Sequence, residues 1–223
     1  MPDKLADDLL AGEIEAATEY NYYDNEFINI MDKGYWEEIA HLKNEFVKND
    51  ADPRQSSIMK KEVAESWIRS KANGIIPQKA SPQYILELSE YQNICEQNKR
   101  LIDVATPILT NYMRLAMESG YTLALFDKNG AFIAGRLEKF RQKPKPALTL
   151  VLNENTTGTT SHYLAIYYKK PFQLIGPENY MEILHETIAT SAPILDENDE
   201  VVGSLLLARI LGPKPWERDL HNM

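Results

Sequence analysis

Hydrophobic positions divide the chain near Gly120. Before it the period is helical. Amphipathic stretches are predicted around Asp3 to Thr18, Tyr35 to Val47 and Ser57 to Ala72, the last stopped by Asn73-Gly74, a pair suited to a left-handed helix end. A polar connection, Lys71 to Pro82, leads into a long helix with Ser81 as N-cap and Pro82 in the first turn, running to about Ser119. Its apolar positions Leu101, Val104, Ala105, Ile108, Leu109, Tyr112, Leu115 and Ala116 recur at three and four residues and predict one continuous stripe. Pro107 falls inside that stripe, where a local kink is expected.

After Gly120 the pattern alternates. Tyr121 to Phe126 and Ala131 to Gly135 read as strands joined through Asn129-Gly130, a strong hairpin signal. Arg136 to Pro146 reads as a basic loop, Gly158 to Tyr168 as a helix, and Pro171 to Ile175, Glu186 to Leu195 and Val201 to Leu211 as further strands. The class is α+β: about five or six mainly antiparallel strands with flanking helices, preceded by a helical region. The organisation expected is a helical region over 1–80, a connecting helix over 81–119, a sheet domain over 120–211 and a linker over 212–223.

Composition narrows the function. A net charge of −9 in 223 residues argues against direct contact with a nucleic-acid backbone. No apolar run is long enough to span a bilayer, and the acidic MPDKLADDLLAGE start does not read as a signal peptide, so a cytoplasmic protein without membrane contact is expected. The single cysteine, Cys95, excludes an internal disulfide and a cysteine-rich metal cluster. HETIA, at His185 to Ala189, lacks the second histidine of a zinc-protease helix, and no nucleophile, base and orienting acid share a recognisable spacing, so no enzyme, metal or cofactor is expected.

Three stretches together carry a family resemblance. They are VAESWIRSKANGIIP (63–77), similar to an SWxRS helix followed by GxxP; NKRLIDVATPILTNYMRLAMESGYTLALFDKNGAFI (98–133), similar to a long helix entering a first hairpin; and the segment from 154 to 207. In that segment Glu154, Gly158 and Thr159 match ExxxGT, Gly176 to Tyr180 match a GPEHY-like turn, and SAPILDENDEVVGSLLL matches a closing hairpin. Together, over roughly 60 to 210, they resemble the N-terminal sensory region of sigma-54-dependent transcriptional activators of the acetoin-catabolism-regulator type, and the resemblance implies a GAF-like sensory domain. Thr160 stands where such proteins commonly have Asn, and Asn179 where they have His. There is no GxxxxGK[ST] loop, GAFTGA-like loop or helix-turn-helix, so the ATPase and DNA-binding parts that the resemblance implies are absent from these residues.

The resemblance therefore implies a cavity for a small-molecule effector, with DNA and sigma-54 RNA polymerase reached only through those absent domains. The candidate ligand-binding residues are Thr157, Thr160, Ser161, His162, Tyr163, Tyr167, Tyr180 and His185. Small hydroxyls permit close approach and offer donors and acceptors, the tyrosines offer walls with polar tips, and the histidines a pH-sensitive donor. Against this stands a plainer reading, in which Gly158 and Thr159 cap and start a helix and Tyr163 and Tyr167, at helical spacing, are core. The long stripe exceeds what one domain needs to bury and predicts a homodimer through the same helix of a second copy. The competing function is a protein-interaction and dimerisation module that binds no small molecule.

Overall fold

The computed structural model describes residues 32–79, 85–136 and 150–212. Five helices lie within them: α1 (Lys33–Asn49), α2 (Lys61–Ala72), α3 (Leu88–Gln97), α4 (Lys99–Glu118) and α5 (Ser161–Tyr168). The strands are β1 (Tyr121–Asp127), β2 (Phe132–Gly135), β3 (Phe172–Ile175), β4 (Thr187–Leu195) and β5 (Val201–Ile210). They form one antiparallel sheet in the order β2-β1-β5-β4-β3. The α+β class and the GAF-like antiparallel sheet with preceding helices are thus as expected. The stretch Asp3 to Thr18, the Ser81-Pro82 cap, most of the basic loop and the linker after 212 lie outside the described residues.

Both hairpin turns are built on an aspartate. Asp127 Oδ1 accepts the backbone N–H of Asn129 at 2.9 Å and of Ala131 at 2.7 Å, and Asp196 Oδ1 accepts those of Asn198 at 2.8 Å and Glu200 at 3.0 Å. The short acidic side chain closes the turn before the strands pair. β1 is buried on both faces, which accounts for its unbroken apolar run. Ala124 and Phe126 join Phe132, Leu152 and Leu206 on one face, while Leu123 and Leu125 meet Leu109 and Ile133 on the other, under α4.

Three helix starts differ from expectation. Residues 53–55 form a 3-10 turn capped by Asp52, so α2 begins at Lys61 rather than Ser57. The predicted long helix is two. α3 opens at Leu88, where the Glu90 carboxylate accepts the Glu87 backbone N–H at 3.1 Å, and the path breaks at Asn98, whose side-chain amide donates to the Ile94 carbonyl at 2.9 Å. That contact competes with continuation of the helix. α5 begins at Ser161 because Thr156, Thr157 and Gly158 all donate backbone N–H to the Asn153 carbonyl in a separate turn.

The predicted stripe also divides. Leu101, Ala105, Leu109 and Ala116 pack on the sheet, while Val104, Ile108, Tyr112 and Leu115 are each more than half exposed. At 100° per residue those eight positions span an arc of roughly 140°, more than a sheet surface on one side covers.

α1 and α2 are not a separate layer. Ile39, Phe46, Val63 and Trp67 share one apolar cluster with Leu164, Phe172, Leu174 and Tyr180. Gly176, at φ +48, lies directly under Trp36, and a Cβ there would fall 2.1 Å from the indole ring. Gly176→Ala is expected to displace α1 and to lower stability by about 2 to 4 kcal/mol in urea unfolding. Gly74→Ala, also at positive φ but facing open space, should cost only about 1 kcal/mol.

Candidate functional site

The hydroxyl-rich turn serves first as a socket for α2. Arg69 grips Glu154 with two bonds, Nε to Oε2 and Nη2 to Oε1, both 2.7 Å. Ser66 Oγ donates to the same carboxylate and lies 2.7 Å from Thr159 Oγ1, and Asn73 Nδ2 donates to the Glu154 carbonyl at 3.1 Å. The carboxylate hydrogen bonds hold the Arg69 guanidinium pKa above its ordinary value. Ser66, Ser70 and Thr159 are wholly buried. One helical turn therefore points Ser66, Arg69 and Ser70 into a single strapped loop.

A second socket lies beside it. Trp67 Nε1 donates to the Glu178 carbonyl at 2.8 Å, and the fully buried Glu178 carboxylate accepts from Ile175 N–H at 2.6 Å, Tyr35 hydroxyl at 2.9 Å and Lys60 Nζ at 3.3 Å. Burial, and after it this carboxylate, push the Tyr35 phenol pKa far up. Lys43 donates to the Asn179 carbonyl and, at 3.3 Å, to that of Tyr180, with His185 Nε2 at 3.2 Å and the Trp67 ring at 4.5 Å. Burial holds the pKa of the Lys43 amine well below the ordinary lysine range.

The cavity lies next to both sockets, against the face of β1, β5 and β4. In register across those strands stand Thr122, Ala208 and Ala189, a row of small side chains that leaves a hollow of about 130 Å³. For comparison, an engineered apolar cavity of about 150 Å³ takes up benzene. Leu152, Leu184, Leu206 and Ile210 complete the apolar wall; Thr160, Ser161, His162, Asn179, Thr187 and Arg209 supply polar groups. The His162 ring stacks on Phe126 at 3.9 Å, and its Nε2–H donates to the Leu152 carbonyl at 2.7 Å. Burial pushes its pKa down to about 4, so the imidazole is neutral near pH 7.

Of the eight candidate residues, Thr160, Ser161 and His162 line this cavity. Thr157 stays in the turn above α5, its hydroxyl 3.5 Å from the Asn153 carbonyl. Tyr180 is buried in the cluster beneath α1 and α2, with Gly158 packed on its ring. Tyr163 is half-buried, and its phenol pKa is raised by burial and then by Glu154. Tyr167 is exposed, with the Arg69 guanidinium 4.3 Å over its ring. His185 is held by Lys43 and by the Asn179 carbonyl at 3.2 Å.

Thr122, Asn179, Leu184, Thr187, Leu206 and Ala208 were not among the candidates. In the sequence Asn179 stands out only as a departure from the resembled pattern. Thr160 was both departure and candidate, and the two departures face the same hollow. The row of small residues on adjacent strands becomes visible only with register. Among the described residues no three His, Cys, Asp or Glu side chains gather as a metal site, and no helix is long and apolar enough to cross a membrane.

No protein-family model matches the chain. A curated relative, the signal-transduction and transcriptional-control protein of Clostridium beijerinckii, is 25% identical over 130 residues. The match takes in 56% of this chain but only 21% of the relative. Among solved structures, a chain of the E. coli DhaR(N)-DhaL complex superposes with a TM-score of 0.60 at 14% identity, over 68% of this chain and 52% of that one, a likeness of fold.

Arg69→Ala leaves Glu154 buried without its cation and is expected to cost about 3 kcal/mol or more in denaturant unfolding, with much of the loss recovered in an Arg69→Met, Glu154→Leu pair. His162 sets a separate pH window. Above pH 6.5 both folded and unfolded chains hold it neutral; below, the unfolded chain binds a proton that the folded one refuses until about pH 4. Stability should therefore fall by about 3 kcal/mol across that window, and His162→Gln should flatten this component in unfolding curves taken between pH 7 and 4.

Proposed function

We propose that this chain is the signal-sensing part of a transcriptional regulator, taking a small molecule into the cavity beside Thr160 and Asn179 and passing its presence to output domains outside these residues. The observation that carries the reading is the hollow itself, walled mainly by apolar groups with a few convergent polar ones and adjoining the two sockets that hold α1 and α2. The name of the C. beijerinckii relative supports it, and the fold is shared with a chain of the E. coli DhaR(N)-DhaL complex. In its finer form the regulator is a sigma-54-dependent activator acting in the cytoplasm, with ATPase and DNA-binding parts elsewhere in the protein. The domain acts by binding and not by catalysis.

Dimerisation belongs to the same proposal. Val104, Ile108, Asn111 and Leu115 recur at three and four residues along α4, the spacing of a two-helix seam, and Val104, Ile108 and Leu115 are solvent-exposed. A second copy of the helix would cover them, and a guest preferring one dimer arrangement would bias the output by a coupling of about 1 to 3 kcal/mol. The competing reading, a protein-docking module whose cavity takes no guest, draws on the protein complex named for the E. coli neighbour.

The test is a thermal-shift and calorimetric screen of small metabolites against the chain and against Ala208→Phe, which fills the hollow. A compound that raises the melting temperature of the parent by several degrees and leaves the filled variant unmoved is expected. If no compound separates the two proteins, the docking reading replaces the sensor. Ile108→Glu should convert a sedimenting dimer into monomer without lowering stability by more than about 0.5 kcal/mol.

A further inference from the structure

The run YTLALF in β1 contains one polar side chain that faces the cavity. Strand alternation places Thr122 on the same side as Ala124 and Phe126, opposite Ala208, and it is only 8% exposed. Its hydroxyl finds no hydrogen-bond partner among the described residues.

Four of the other polar side chains of the wall are engaged with protein partners, and Arg209, which also lines it, lies with its guanidinium 5.5 Å over the Tyr121 ring. Ser161 Oγ lies 2.8 Å from Ser191 Oγ, Thr187 donates to the Leu184 carbonyl at 2.6 Å, Asn179 Nδ2 donates to the Gly176 carbonyl at 3.1 Å, and His162 Nε2 donates to Leu152. Thr160 Oγ1 has a long contact of 3.5 Å with His162 Nε2. A buried hydroxyl left unsatisfied costs free energy, and Val would fill the same volume in a strand without that cost. A second such hydroxyl, Ser204, is fully buried on β5 but does not line the cavity.

We infer that Thr122 is the polar anchor that selects the guest of this cavity: the molecule sensed sets a hydrogen-bonding oxygen or nitrogen against the Thr122 hydroxyl, near Gly120, and lays its apolar body along Leu206, Ala208 and Ile210. This rests on the sensor reading above. It adds that selectivity comes from one uncommitted hydroxyl on β1, with the hydroxyl-rich turn holding position. A guest without a polar atom at that end leaves the penalty in place; one that has it removes the penalty on binding.

Cyclopentanol and methylcyclopentane, matched in shape and differing in one hydroxyl, are suitable probes, titrated by amide NMR shifts into the chain and into Thr122→Val, Thr122→Ser and Ser204→Ala. Thr122→Val is expected to weaken cyclopentanol about tenfold relative to methylcyclopentane, Thr122→Ser to keep the parent preference, and Ser204→Ala to change neither affinity. Thr122→Val without a guest should melt roughly 2 to 4 °C higher, as loss of an unsatisfied hydroxyl requires. If both probes bind and the Val variant discriminates between them as the parent does, the anchor is overturned while the cavity stands. If the metabolite screen and both probes leave the parent chain unmoved, the sensor reading fails and the anchor with it. Should Thr122→Val not fold, Thr122→Ala replaces it with the same expected loss of preference.

Discussion

The Glu154 carboxylate, nearly sealed from solvent, is the constraint on which this architecture depends. A charge so placed is tolerable only if its oxygens are filled, and here both guanidinium bonds of Arg69 and the hydroxyl of Ser66 fill them. All these donors come from one face of α2 and the acceptor from a loop of the sheet domain. Helix and loop therefore hold each other in place: displacing α2 strands an anion, and reshaping the loop strands a cation. A planar, two-pronged donor is needed for that geometry, which a lysine at 69 would not reproduce.

The two sockets lead to the cavity in the same way. At 159 and 160, Thr159 turns to Ser66 of α2 and the next residue lines the hollow; at 178 and 179, Glu178 receives Trp67, Tyr35 and Lys60 and the next residue lines the hollow. Asn179 faces both ways, its side chain on the cavity and its carbonyl on Lys43. Lys43 is buried with a depressed pKa, so the carbonyls it meets matter to it more than they would to a solvated amine. Adjacent residues of one backbone cannot move independently, which gives the proposed signal a short physical route from guest to helix.

Much of the fold was readable because its periods are local. Each strand of the sheet was placed to within a residue or two, since alternation and the Asp-based turns require no partner to be recognised. The breaks were not readable: Asn98 interrupts a helix through its own side chain, and residues 154–158 form a turn in front of α5 through the Asn153 carbonyl. Neither alters the hydrophobic pattern. Hydroxyls and tyrosines near one another in sequence suggest a single lining at the site, but the helix turns Tyr167 to solvent and the chain carries Tyr180 under α1 and α2. The row of Thr122, Ala189 and Ala208 comes from three strands and exists only once their register is fixed.

A division of labour follows from where the motifs go. SWIRS, ENTTGT and GPENY, which carry the resemblance, meet one another through Ser66, Trp67, Arg69, Glu154, Thr159 and Glu178, and these residues are spent on docking the helices. The cavity is made largely by side chains outside those contacts: the small row on the sheet, Leu184, Leu206 and the departures at 160 and 179. A sequence can therefore keep the docking pattern while its cavity is rebuilt for another guest, because the two sets of residues share a backbone but few side-chain contacts. Likeness in the motifs carries over the fold and the sockets; the chemistry of the guest resides in the strand register and in the residue that follows each socket.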